Sequence, residues 1–169
     1  MKSYWFAVVL TVVMLTCCVS CKEERKPDGM PDLYPCTVKL TQEGQPLEGA
    51  FILCQSDDAQ LIRWAVTGQT GADGVAKIFT MGKFAGAPAG TFAVVVTKEE
   101  SEGGSAPSED DMTEMKSGGF GGDVYSLVSL DQTAKETTPH KITVEAGGKN
   151  AFEFDCGEKV RVKRPRDPF

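Results

Sequence analysis

The sequence contains a single histidine, His140, and this limits the chemistry that the chain can perform. Metal centres and hydrolytic sites are usually built from several imidazoles, or from an imidazole beside a nucleophile and an acid. His140 follows Pro139 at the start of a predicted strand, and no serine lies in the Gly-x-Ser-x-Gly pattern of a nucleophile elbow. We therefore expect His140 to be an ordinary residue at a strand edge, and we expect neither an enzyme nor a cofactor site.

The other reactive side chains are cysteines, and they fall into two groups. Three of them crowd the N-terminal region and three are spread over the rest of the chain, namely Cys17, Cys18 and Cys21, and then Cys36, Cys54 and Cys156. The second group contains no Cys-x-x-Cys pair. With one imidazole in the chain, this spacing does not predict a zinc site.

The first twenty residues have the pattern of an export signal. A short positive start, Met1-Lys2, precedes a twelve-residue apolar run from Tyr4 to Leu15, and charge returns abruptly at 22–26. The run is too short for a membrane-spanning helix, which needs about twenty residues. We expect residues 1–20 to be a signal peptide that directs the chain out of the cytoplasm.

The segment Cys18-Val19-Ser20-Cys21 resembles a bacterial lipobox, in which a small residue precedes the cysteine that is acylated and becomes the new N-terminus. It departs from that pattern at its first position, where leucine is usual. The resemblance implies lipid attachment at Cys21 and an extracytoplasmic protein anchored to a bacterial membrane, its first expected partner. Leu15-Thr16-Cys17-Cys18 is a second register of this pattern, but it places Cys17 where glycine, alanine or serine is expected. The other alternative is ordinary signal cleavage and secretion. Several acyl chains, each contributing about 0.8 kcal/mol per buried CH₂, would anchor the protein durably.

The remaining sequence divides by composition. Residues 21–34 are charged and proline-containing, which predicts a flexible tether, and residues 35–158 form the expected domain. Residues 159–169 form a basic tail that is solvated, or that reaches anionic envelope polymers or the chain's own acidic segment. The net charge of −6 argues against a nucleic-acid partner, since such binders are usually basic.

Short alternating apolar runs separated by turn residues predict an all-β sandwich. The seven expected strands cover 36–41, 46–54, 61–66, 75–80, 91–97, 141–145 and 151–156. Side chains two residues apart share one face of a strand, so this alternation predicts that Cys36, Cys54 and Cys156 all point into the core.

Residues 99–123 interrupt this pattern with eight acids, one lysine and six glycines. Such a segment has too little apolar surface to offset its ordering entropy, so we expect a long, mobile, acidic Gly-rich loop. Its cluster Glu109-Asp110-Asp111 lacks the spaced oxygen ligands of a calcium loop. We expect no metal there.

Several motifs resemble those of carboxypeptidase-regulatory-like, transthyretin-like domains. They are the segments QPLEGAFI at 45–52, TGQTGADGV at 67–75 and AGTFAV at 89–94, with a closing region that includes 137–139 and 144–155. The closing region is similar to that of small lipoproteins of planctomycetes. The resemblance covers about residues 36–156 and implies a seven-stranded, Ig-like or prealbumin-like sandwich with no catalytic activity. Enzymes on related sandwiches use more than one histidine.

The resemblance also bears on the cysteines. In sandwiches of this type the first and last strands can be neighbours, whereas the first and second usually lie in different sheets. This favours a disulfide between Cys36 and Cys156, with Cys36 and Cys54 as the alternative, because exported proteins meet oxidising conditions. A third possibility is that all three thiols stay reduced and packed.

The sequence therefore predicts a non-enzymatic cell-envelope lipoprotein that acts as a structural or interaction module, with an unidentified protein or glycan partner. The alternative is a carbohydrate- or envelope-polymer-binding module. Trp64, the one tryptophan outside the signal, and Tyr125 are the aromatic side chains that would stack on a sugar if they were exposed.

Overall fold

The computed structural model describes residues 25–102 and 123–164. Within these ranges the chain is all-β, and its only helical turn is the 3₁₀ helix Leu130–Thr133. The fifteen strands are β1 Leu33–Tyr34, β2 Cys36–Gln42, β3 Gln45–Pro46, β4 Phe51–Gln55, β5 Val66–Gln69, β6 Val75–Lys77, β7 Phe79–Thr80, β8 Phe84–Ala85, β9 Ala87–Pro88, β10 Gly90–Thr97, β11 Glu99–Glu102, β12 Asp123–Ser126, β13 Lys141–Val144, β14 Asn150–Asp155 and β15 Val162–Lys163.

Two main sheets supply the core. The larger is antiparallel throughout, in the order β13-β10-β4-β5-β7-β8, and the smaller contains β14-β2-β3, with β6 also paired to β2. The chain passes from the smaller sheet to the larger at Ile78, whose N–H donates to the Cys36 carbonyl at 3.0 Å. Buried apolar side chains from both sheets form one cluster, as in a β-sandwich.

The predicted burial of the cysteines is confirmed. Side chains of β2 alternate strictly between buried and half-buried positions, and Cys36 lies on the buried face. Cys54 on β4 and Cys156 after β14 are also buried. The period-2 apolar pattern therefore identified the core-facing side of all three strands.

Three strand predictions differ from the structure. The predicted strand 46–54 is divided, because Gln45–Pro46 pairs with β2 in the smaller sheet, Phe51–Gln55 belongs to the larger sheet, and residues 47–50 between them form no strand. Residues 61–64 form turns instead of a strand, because the N–H groups of Leu61 and Ile62 both donate to the Asp58 carbonyl at 2.9 Å. The predicted strand 75–80 is divided at Ile78 between the two sheets. In each of these places a local backbone hydrogen bond or a sheet crossing interrupts a run that looks continuous in sequence.

The acidic segment is ordered at both ends. β11 and β12 pair as an antiparallel hairpin, with Glu99 opposite Ser126 and Glu102 opposite Asp123. β15, from the basic tail, pairs with β12 to complete a small third sheet. The expected loop therefore begins and ends in strands, while residues 103–122 lie outside the described part of the chain. The signal segment 1–20, with Cys21, also lies outside it.

In the two described ranges, no helix has both the length and the apolar composition needed to cross a bilayer.

Candidate functional site

His140 is held at the end of the hydrophobic core. Its side chain is 8% exposed and its ring packs on Phe154, with the ring centroids 4.6 Å apart. Its carbonyl accepts a hydrogen bond from the Val94 N–H at 2.9 Å. Burial lowers the pKa of His140, because it disfavours the charged imidazolium, and Asp131 opposes this shift. The ring is therefore a neutral packing group.

Two buried polar atoms in this part of the core lack a hydrogen-bonding partner. One is His140 Nε2 and the other is Gln132 Oε1, although the Gln132 amide nitrogen donates to the Cys156 carbonyl at 2.9 Å. Most buried polar atoms in proteins are paired, so these two mark a locally unfavourable environment. Across the described residues, no group of three or more His, Cys, Asp or Glu side chains is placed to hold a metal ion.

Burial makes the thiols of the three described cysteines unreactive. Burial raises the pKa of Cys36 and of Cys156 to about 11, and that of Cys54 to about 12. The thiolate is the nucleophilic form of cysteine, so at neutral pH roughly one thiol in ten thousand or fewer is in the reactive state. These side chains behave as small apolar groups in the core.

All three cysteines are free, and the favoured pairing of Cys36 with Cys156 is not formed. β2 and β14 are neighbours as expected, but they run parallel, with Cys36 opposite Asn150 and Thr41 opposite Asp155. Cys156 therefore lies about six residues along the strand pair from Cys36, roughly 20 Å at 3.3 Å per residue. A disulfide requires Cα atoms within about 7 Å, so this register excludes the bridge.

The alternative pairing, Cys36 with Cys54, is also not formed. The two thiols project into the same core cluster from opposite sheets. They are close enough that Cys36 contributes to raising the pKa of Cys54, after the larger effect of burial.

Trp64 does not offer an open stacking surface. Its side chain is 9% exposed, and the Arg63 guanidinium carbon lies 4.9 Å from the centroid of the indole ring. A pocket of about 240 Å³ lies beside it, lined in part by Leu53, Gln55 and Lys135. An exposed tryptophan was the feature expected of a sugar-stacking site, and the structure buries this side chain instead.

Tyr125 on β12 is also covered by a cation. The Arg161 guanidinium carbon lies 3.8 Å from the centroid of the Tyr125 ring. The same guanidinium donates to a Glu102 carboxylate oxygen at 2.7 Å and lies 3.5 Å from Glu100. Hydrogen bonding from Arg161 lowers the pKa of Glu102, and Glu102 in turn raises the pKa of Arg161.

Two more ion pairs join the same elements. Lys163 Nζ lies 2.6 Å from the Asp123 carboxylate, and Arg164 forms an ion pair with Glu99. The Arg164 N–H donates to the Val124 carbonyl at 2.9 Å, which extends the pairing beyond β15. We call residues 161–164 the basic strand and the β11–β12 pair the acidic hairpin.

The charge of both segments is evident in the sequence, but their strands were not predicted. The signal was present in the alternation of charged residues with valine in the tail, Val160-Arg161-Val162-Lys163. An alternating pattern of this kind predicts a strand with one charged face.

Comparisons of the chain with protein-family models, with curated proteins and with solved structures find no match.

Proposed function

We propose that this chain is a non-enzymatic cell-envelope lipoprotein whose β-sandwich serves as a structural or interaction module. The observation that carries the proposal is the placement of the reactive side chains. His140 and the three described cysteines are buried among core residues. Burial lowers the pKa of the histidine and raises the pKa of each cysteine, so that the uncharged form of all four side chains is favoured. These residues stabilise the sandwich, and the surface is left to make contacts.

The location of the protein in the cell is the second part of the proposal. The apolar run at 4–15 and the lipobox-like segment ending at Cys21 support export followed by lipid attachment. A lipid at this position, with residues 21–34 as tether, would hold the sandwich at a membrane surface outside the cytoplasm.

The finer family assignment belongs to the same proposal. The motifs at 45–52, 67–75 and 89–94 support a carboxypeptidase-regulatory-like, transthyretin-like sandwich of the Ig-like or prealbumin-like type. The parallel pairing of β2 with β14 and the turn at Asp73-Gly74 are compatible with it.

Chemical modification of the native protein tests the non-enzymatic part. The purified protein is treated at pH 7 with iodoacetamide for thiols and diethyl pyrocarbonate for imidazole, and modification is followed by mass spectrometry. We expect Cys36, Cys54, Cys156 and His140 to react slowly in native buffer and completely in denaturant, which serves as the control. Rapid native-state reaction at any one of them would reveal an accessible, activated nucleophile or base and would contradict the proposal.

A further inference from the structure

The acidic hairpin and the basic strand match each other charge by charge. Each of the three cations pairs with at least one carboxylate, and Arg161 pairs with two. Glu100 and Glu102 lie two residues apart on one face of β11, a repeat of about 6.8 Å. Arg161 therefore contacts two regularly spaced anionic groups on an extended chain, which is also what a linear anionic polymer presents, and Lys163 and Arg164 bind further carboxylates of the hairpin.

We propose that the basic strand is a binding element for linear polyanions, carboxylate or phosphate polymers, and that the acidic hairpin occupies it in the free protein. This inference rests on the proposed function as an interaction module and names the class of its partner. The hairpin acts as an internal substitute for the polymer.

The cations remain accessible while they are paired. The side chains of Arg161, Lys163 and Arg164 are 46%, 57% and 42% exposed. A guanidinium presents several donors in one plane and can bind carboxylate or phosphate oxygens in bidentate fashion. An incoming polymer can therefore contact the basic strand before the internal ion pairs have separated.

The internal contacts are weak enough to be displaced. Exposed ion pairs contribute little to the stability of proteins, and only two residues of β15 are in register with β12. A polymer carries many equivalent anionic groups, so several can bind in succession at high local concentration. Its binding also releases condensed counterions, which favours the complex at low salt.

Two charge variants test the proposal with opposite predictions. Glu100→Gln/Glu102→Gln removes hairpin carboxylates without changing their shape, and Arg161→Gln/Lys163→Gln/Arg164→Gln removes the cations. The matched control, Lys39→Gln/Glu153→Gln, removes an exposed ion pair of 2.7 Å on the outer face of the smaller sheet. The probes are polygalacturonate and inorganic polyphosphate, which distinguish carboxylate from phosphate polymers, with neutral dextran as a blank.

We expect the hairpin variant to bind one or both polyanions about 3- to 10-fold more tightly than the wild type, since both lost ion pairs involve Arg161 and their loss releases its guanidinium. The cation variant should bind the polyanions about tenfold or more weakly than the wild type, and the affinity of the control should stay within about twofold of the wild-type value. A plot of log K against log salt should have a slope of about −2 to −3 for the wild type, by analogy with single-stranded nucleic acids.

Hydrogen exchange on the wild type gives a readout that needs no variant. Polymer should accelerate amide exchange in Glu99–Glu102 and Asp123–Ser126, because the basic strand leaves β12. The proposal is overturned if the hairpin variant binds no more tightly than the control, if the cation variant binds as well as the wild type, or if polymer leaves exchange in the hairpin unchanged. These results do not depend on the modification experiment, so the two proposals can fail separately.

Discussion

The Arg161 guanidinium lies 3.8 Å from the centre of the Tyr125 ring, and this contact joins the C-terminal end of the described chain to the middle strand of the small sheet. The ring face is electron-rich and attracts the cation, while Glu100 and Glu102 hold the same guanidinium from the neighbouring strand. One side chain thus contacts both strands of the acidic hairpin.

Replacing this guanidinium should loosen the small sheet and leave the sandwich intact. In Arg161→Ala, we expect faster amide exchange in Glu99–Glu102 and Asp123–Ser126, because the ion pairs and the ring contact disappear together. Raising the salt concentration from 20 to about 500 mM should have a similar effect on the wild type, since surface ion pairs are screened. Exchange in β4 and β10 is the internal control. Equal acceleration there would show that the small sheet is not a separate, electrostatically held element.

The stability of the sandwich should fall at mildly acidic pH because of His140. Burial holds its folded-state pKa below the unfolded value of about 6.5, so the unfolded chain takes up the proton first. The contribution of His140 is fully present above pH about 6.5 and is lost as the pH falls through the folded-state pKa. Urea unfolding at pH 7.5 and at pH 5 measures the loss. His140→Phe, which keeps a ring against Phe154, should reduce the pH dependence, and an unchanged dependence would exclude His140 as its source.

The Thr70 hydroxyl should contribute more to the stability of the fold than an exposed hydroxyl of the same size. This 4%-exposed side chain donates to the Leu47 carbonyl at 2.6 Å and accepts from the Ala50 N–H at 2.8 Å. Thr70→Val keeps the volume but leaves two buried backbone groups without these partners, so it should destabilise the protein by about 2–3 kcal/mol. Thr143→Val, at an exposed hydroxyl, should change stability by less than about 0.5 kcal/mol. The urea unfolding midpoints of the two variants measure this difference. Equal destabilisation by both substitutions would contradict the stabilising role of the Thr70 hydrogen bonds.

Two glycines with the same backbone conformation should respond differently to alanine. Gly44 and Gly74 have φ of +74° and +73°, where any side chain is strained. A Cβ at Gly44 meets nothing within 4 Å, whereas one at Gly74 would lie 2.5 Å from the Leu40 carbonyl oxygen. We expect Gly44→Ala to lower the free energy of unfolding by about 1 kcal/mol. Gly74→Ala should lower it by roughly 2 kcal/mol more, because of the added clash. Thermal unfolding of both variants measures the difference, and a cost at Gly74 no larger than at Gly44 would show that the backbone there relaxes freely.

The sequence predicted the all-β class and the core face of several strands because a period of two residues is local information. Val38 and Leu40 alternate with polar residues along β2, and their burial follows from that spacing alone. The turn at Asp73-Gly74 was predictable for the same reason, since the Asp73 carboxylate accepts from the Val75 N–H at 3.0 Å within the turn.

What the sequence did not reveal depends on pairing over long separations. The parallel register of β2 and β14 places Cys36 opposite Asn150, and no local pattern distinguishes this from the antiparallel arrangement that would bring Cys156 nearer. The contact of Arg161 with Glu102 joins residues 59 positions apart. Charge composition suggested attraction between these segments, but strand formation required both to be placed beside β12.

The central claim, a lipid-anchored envelope protein, is tested most directly by metabolic labelling with an alkyne fatty acid in a bacterial host. Three forms are compared: the wild type, Cys21→Ser and Cys18→Ser, the last being a matched change within the expected signal segment. We predict that the wild type and Cys18→Ser carry the label and partition with membranes, and that Cys21→Ser carries none. Label that persists in Cys21→Ser, or is missing from the wild type, would contradict the account.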